Sequence, residues 1–315
     1  MYFPYFRGKQ YELVTIRENA ERLARARFTP IIEPVRDALG GLDRALTAVR
    51  AAGGSAIVIV NPRFGSFRED GEAISALLRD RFAGRDVAVG VLLVESMTVE
   101  QALEICEQHQ DHEIALVHAG FSHGRELASA LRARNWVFSH FFVSTDDNLL
   151  YRRHFTSGTK VRIRDGFNKR RRNVDYPDVE RFSELHATFR ETGLDGFGDF
   201  LTVGDDYVEG GGPAYSVAIH LTFVDEDEDD AMFVYHFKSQ QSETPGDPGA
   251  KFAEALELLH DTIERPDSRV YETDAIAEFR SLYDREHFPG LGYVKKLSMQ
   301  HHIETMAQYF ASRRR

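Results

Sequence analysis

Short apolar runs rich in β-branched or aromatic residues alternate with longer stretches of helical periodicity along residues 2–203. Runs at 2–6, 30–35, 56–60, 87–94, 113–117, 136–143, 160–163 and 197–203 read as strands. Between the first two, residues 11–27 place Leu13, Ile16, Ala20, Leu23 and Ala24 at three- and four-residue spacing, as one apolar helix face requires. Helices follow around Leu42, Leu46 and Val49, then at 74–82, 99–108, 124–134, 148–154 and 177–191. Strict alternation implies parallel strands with right-handed crossovers, and eight such units are the number that closes a barrel. The pattern predicts an α/β fold, a (β/α)8 TIM-like barrel. A doubly wound open sheet is the alternative, because periodicity defines the units and not their closure.

Beyond residue 203 the alternation stops. Residues 215–224 and 232–238 alternate polar and apolar positions around the acidic run 225–230, which reads as a β-hairpin with a self-repelling, solvated tip. A polar linker at 239–249 leads to helices at 251–263, 274–283 and 291–310. The chain is expected to be one domain over 1–315, with 1–207 as barrel core and 208–315 as hairpin and helical appendage.

Composition narrows the function classes. Of 315 residues, 42% are hydrophobic, enough for a large core, and 23 Phe and 12 Tyr supply rigid packing material. A net charge of −11 opposes wholesale binding to nucleic acid or anionic membranes, although a local basic patch still permits it. Cys106 is the single cysteine, so no intrachain disulfide and no thiolate metal cluster can form. The first residues lack the apolar segment of a signal peptide, and no uncharged apolar stretch approaches the roughly 18 residues that span a bilayer. A cytoplasmic protein that does not engage membranes is expected.

In β/α barrels the loops after the strand C-termini build the site. Here polar residues punctuate nearly every apolar run at that end: Arg7 and Lys9, Glu33, Asn61, Glu95, His118, Asp146 and Asp147, Asp165, then Asp205 and Asp206. Glu33 stands inside the run IIEP, where Pro34 favours an extended backbone that aims the carboxylate at the mouth. Its other reading is a structural carboxylate paired with Arg7 or Lys9. Glu33, Glu95, His118 and Asp165 together suit acid/base work or a hard cation such as Mg²⁺. No close-spaced ligand motif accompanies them. Residues 160–176 carry seven Lys/Arg, and Asn168, Arg170, Arg171 and Arg172 suit phosphate oxygens, on a small molecule or a nucleic-acid backbone. The competing reading is a solvated basic face. His220 and His236 occupy positions from which they could face each other across the hairpin. His301 and His302 are adjacent on a helix, so they diverge by about 100°; one is expected to pack and the other to be exposed. Cys106 lies within a helix and no GxSxG elbow occurs, which argues against a nucleophilic triad.

The opening YFPYFRGKQYELVTIRE, the segments RDGFNKRRRNVDYPD and GFGDFLTVGDDYVEGGGPAYSVAIHLTF, and the ending LGYVKKLSMQHHIETM resemble an uncharacterised bacterial family allied to the bacteriophage beta-protein family. The resemblance covers essentially the whole chain. It implies a mobile-element or phage-defence setting and a protein partner encoded nearby, and no reaction or catalytic residue. Two functions are therefore in view. One is a barrel hydrolase or lyase acting on a phosphate-bearing or nucleotide ligand. The other is a non-catalytic binding or regulatory subunit of a two-protein system.

Overall fold

The computed structural model describes residues 1–143, 148–210, 212, 215–240 and 244–313. They divide into two compact units, one of residues 1–165 and 188–200, the other of 166–187 and 201–315.

The first unit is an eight-stranded parallel barrel. Its elements run β1 (Tyr5–Phe6), α1 (Gln10–Glu18), α2 (Ala20–Ala26), β2 (Ile31–Ile32), α3 (Gly40–Ala51), β3 (Ala56–Ile59), α4 (Glu72–Arg81), β4 (Gly84–Val94), α5 (Val99–Gln108), β5 (His112–Ala119), α6 (Gly124–Ala133), β6 (Ser139–Val143), α7 (Leu149–Arg152) and β7 (Lys160–Ile163). The chain then forms β8 (Val179–Ser183) and α8 (Leu185–Thr188) before β9 (Gly196–Gly198) completes the ring. Every neighbouring pair from β1 to β7, and β7 with β9, is parallel. Closure comes from a parallel bridge between Tyr2 and Phe197, with Phe3 N–H donating to Phe197 O at 2.9 Å and Tyr5 N–H to Asp199 O at 2.8 Å. The β/α barrel is thus the fold, and the open sheet is not.

Alternation along each strand decides what fills the barrel. Phe3, Tyr5, Ile31, Ile57, Ile59, Leu92, Ala115, Val117, Phe141, Val161, Ile163 and Phe200 form one buried cluster inside the ring. On β9 the inward positions are glycines: a Cβ on Gly198 would come within 2.2 Å of Phe3 O, and one on Gly196 within 2.8 Å of the Phe3 ring. The helix anticipated at 11–27 divides at Asn19, whose side-chain amide donates to Thr15 O at 2.9 Å and closes the first segment. α5 starts with a capping box, Thr98 and Gln101 each accepting from the other's backbone N–H.

The second unit is a three-stranded antiparallel sheet in the order β10 (Ala218–Asp225), β11 (Ala231–Lys238), β8, packed on α9 (Pro248–Ile263), α10 (Asp274–Asp284) and α11 (Leu291–Ser312). Val217, Ile219, Leu221 and Phe237 meet Phe252, Leu256, Leu259, Ile276, Phe279 and Leu297 in one core. The hairpin stands where the alternation puts it. Its tip turns through left-handed Asp229 and Asp230, and Arg269 pairs with Asp225 and Asp227 while Arg313 pairs with Asp230. The acidic run is therefore partly neutralised rather than purely solvated.

Two expectations are corrected. The helix anticipated at 177–191 is instead β8 followed by the short α8, because the outer edge of β11 needs backbone partners and Val179–Ser183 supplies them. His301 and His302 are both fully buried, the first hydrogen-bonded to Thr273 and Thr222 O, the second to the Thr222 hydroxyl. No helix among the described residues is long and apolar enough to cross a membrane.

Candidate functional site

Four of the sequence-derived residues lie just beyond the C-terminal ends of β1 to β3. Glu33 is fully buried. One of its oxygens accepts from the Tyr5 hydroxyl at 2.8 Å and from the Arg7 guanidinium, and the other from the Arg63 backbone N–H at 2.9 Å. Arg7 is buried too, its guanidinium about 5 Å from the ring centres of Tyr5, Phe64 and Phe200. A carboxylate so enclosed has its lone pairs committed to the protein, which is the structural reading of Glu33. Asn61 donates to Leu92 O at 2.9 Å and accepts from Leu92 N–H at 2.8 Å, so its amide splices β3 to β4. Lys9 is half-buried at the N-cap of α1.

The others lie elsewhere. Glu95 is exposed in the turn after β4, beside Gly120, where a Cβ on the glycine would meet the Glu95 Cβ at 3.9 Å. Asp165 is half-buried directly after β7. Asp146 and Asp147 lie outside the described residues. Asn168, Arg170, Arg171 and Arg172 belong to the second unit, where Arg170 pairs with Glu180 and Arg172 with Asp175. Among the described residues no group of three or more His, Cys, Asp or Glu is placed to hold a metal ion, so Glu33, Glu95, His118 and Asp165 are not gathered into a ligand set.

His118 leads to a different cavity. Its neighbours Val117 and Ala119 belong to the barrel interior, so strand alternation turns His118 outward, toward α7. There it meets a cavity of about 300 Å³ at the C-terminal ends of β5 and β6 and against β7. Asn148, Tyr151 and Arg152 line it from α7 and its N-cap, Gly120, Phe121 and Ser122 from the loop after β5, Phe142 and Val143 from β6, and Arg162 from β7. Gly124 leaves room for Tyr151, since a Cβ there would come within 2.4 Å of the phenol ring.

His118 Nδ1 is 2.7 Å from the Tyr151 hydroxyl, and its Nε2 is 3.1 Å from His140 Nδ1. Phe142 stacks on its ring at 4.7 Å, with Phe155 at 4.6 Å. Burial, then the charge of His140, holds His118 well below the usual imidazole range. Burial also pushes His140 down to about 4. Both rings are therefore neutral at pH 7. With the Tyr151 hydroxyl donating to Nδ1, His118 Nε2–H donates to His140, and the phenol oxygen keeps lone pairs for another donor. Arg152 and Arg162 are both buried at the cavity, and each also engages another group of the chain. Cys106 lies buried in α5 with its thiol pushed up to about 12 by burial, which makes it an inert packing residue.

Sequence reasoning missed Tyr151, Arg152, Arg162 and His140. Reading only the terminal residue of each strand overlooks Arg162, although an arginine inside the run VRIR was a visible anomaly.

No protein-family model matches the chain, and no curated protein matches it. Among solved structures, the chain is similar to a putative dihydrodipicolinate synthase family protein from Coccidioides immitis, at 11% identity and a TM-score of 0.33, over 62% of this chain and 72% of that one. The enoyl reductase domain of MlnA from Bacillus amyloliquefaciens is similar at 10% identity and a TM-score of 0.37, over 99% and 81%.

Proposed function

We propose that the barrel unit binds a small phosphate-bearing ligand in the cavity between β5, β6, β7 and α7, as a site for hydrolase or lyase chemistry. The observation that carries this is the lining: two buried arginines and an uncharged imidazole–phenol pair line one cavity at the C-terminal ends of β5 and β6, on the outer side of the strands. Arg152 and Arg162 offer forked donors to phosphate oxygens in a low-dielectric setting. Tyr151, hydrogen-bonded to His118, supplies a hydroxyl able to relay a proton between ligand and imidazole. A volume of about 300 Å³ suits a small metabolite.

Calorimetric titration with glycerol 3-phosphate, against glycerol as the uncharged control, tests the reading. Saturable binding of the phosphate ester alone is expected, weakened about tenfold or more in Arg162→Met, as loss of a charge-assisted hydrogen bond implies. Equal affinity for both compounds, or an unaffected Arg162→Met, overturns it.

A docking role remains the second reading, favoured by exposed Glu226, Asp227 and Glu228 at the hairpin tip. It is tested by co-expression with the product of the neighbouring gene, where a chain that migrates alone on gel filtration counts against it.

A further inference from the structure

The second unit holds a chain of polar side chains independent of the barrel cavity. Arg170 Nη2 lies 2.7 Å from Glu180 Oε2, and Asn168 donates to the same oxygen at 3.2 Å. The other oxygen, Oε1, is 3.1 Å from His236 Nε2, and His236 Nδ1 is 2.7 Å from His220 Nδ1. β10 and β11 pair His220 directly with His236, and β8 brings Glu180 opposite Val234. Tyr176 stacks on His236 at 4.6 Å, and Phe167 meets His220 edge-on at 4.9 Å, so neither ring is free to rotate. The side chain of His236 is fully buried, whereas His220 is partly exposed.

Proton counting fixes the direction of this chain. A carboxylate only accepts, so His236 Nε2 carries the hydrogen that faces Glu180. His236 is neutral at pH 7, its pKa pushed down to about 4 by burial against the pull of Glu180. Its Nδ1 is therefore bare, and the short contact requires the hydrogen on His220 Nδ1. A neutral His220 then has its lone pair on Nε2. When that nitrogen takes a proton, the Nδ1 hydrogen can cross to His236 and leave the positive charge beside Glu180. This is how a buried carboxylate makes an imidazole an oriented base.

The surroundings hold several cations, some of them paired with acids. Arg170 belongs to the basic run with Lys169, Arg171 and Arg172, in which Arg170 pairs with Glu180 and Arg172 with Asp175; Lys238 pairs with Asp178 at 2.9 Å, and burial, then His236, then Lys295 hold the His220 pKa below the ordinary imidazole value. A base set among Lys and Arg suits a hydroxyl next to a phosphodiester.

We propose that the second unit carries an RNA-cleaving site in which His220 Nε2 is the general base and Glu180 and His236 position it. In the step, the ribose 2′-hydroxyl loses its proton to His220 Nε2 as its oxygen forms a bond to the adjacent phosphorus. The bond from phosphorus to the 5′ oxygen breaks, and that oxygen takes a proton from water. The products are a 2′,3′-cyclic phosphate and a 5′-hydroxyl, and His220 returns its proton to solvent. The nucleophile and the phosphorus belong to one molecule, which lowers the demand on the protein to positioning and proton transfer.

The experiment incubates the full-length chain with a short single-stranded RNA and, separately, the DNA of the same sequence. Cleavage of the RNA alone to cyclic-phosphate ends is expected, slowed about 100-fold or more in His220→Ala. In Glu180→Gln the rate should fall while RNA affinity is kept. Nitrogen-15 NMR of the wild-type chain provides the readout that a structural role would not move, with the hydrogen expected on His220 Nδ1 at pH 7 and redistributed in Glu180→Gln. Intact RNA after prolonged incubation, cleavage unchanged in His220→Ala, or the hydrogen found on His220 Nε2 would overturn the proposal.

Discussion

Glu33 illustrates how much one buried side chain can hold together. Its carboxylate is the common acceptor for a phenol, a guanidinium and a backbone amide drawn from β1 and the loop after β3. Removing it takes the Glu33 carboxylate away from the buried Arg7 guanidinium and the Tyr5 hydroxyl, so Glu33→Ala should lower unfolding free energy by about 3–5 kcal/mol. Urea denaturation checks this, and a loss under about 1 kcal/mol would show that the pair is not buried in solution. A carboxylate inside an apolar run was legible as exceptional in the sequence. Whether its oxygens stay available for chemistry was not, because Tyr5 and the Arg63 backbone arrive only when the strands close into a ring. The same limit applied to His118: its place at a strand end was legible, but its outward direction depends on which neighbours fill the barrel.

Among the elements, β9 leaves no room for side chains at its glycines. Gly198 lies against Phe3 O and Ile163, and the added methyl of Gly198→Ala has no space within 2.2 Å of a backbone oxygen. That substitution should cost about 1–3 kcal/mol by overpacking, read as a lower melting temperature, while Gly53→Ala, with nothing near its Cβ, should be limited to strain at its positive φ. An equal melting temperature for Gly198→Ala and wild type would argue against the ring closing through β9. Most strands and helices were legible because each carries its own period. β8 was not: Val179, Phe182, Leu185 and Phe189 also fall at helical spacing. A short segment with two compatible periods takes the conformation its neighbour demands, here the unpaired edge of β11.

For the molecule as a whole, buried and half-buried neutral imidazoles link stability to pH. His140, His236 and His301 are each pushed down to about 4, and His118 and His220 well below their ordinary value, burial being the leading cause throughout. In the unfolded chain the same rings titrate near 6.5. Between pH 6.5 and about 4 the unfolded state therefore binds protons that the folded state refuses, and stability falls as pH drops through that window. The urea midpoint should hold above pH 6.5 and decline on acidification, with a shallower decline in His301→Gln; a midpoint that rises toward pH 4.5 would contradict this. The local patterning of the chain by itself determined the parallel β/α units, the antiparallel hairpin and the terminal helices, since these depend on hydrogen bonds and apolar periods a few residues apart. Only the tertiary structure decided that eight strands close, that Glu33 is sealed while His118 turns toward a cavity with Arg152 and Arg162, and that Glu180 joins the two hairpin histidines. Those outcomes rest on contacts between residues distant in sequence, and no local period encodes which of two faces a side chain will find occupied.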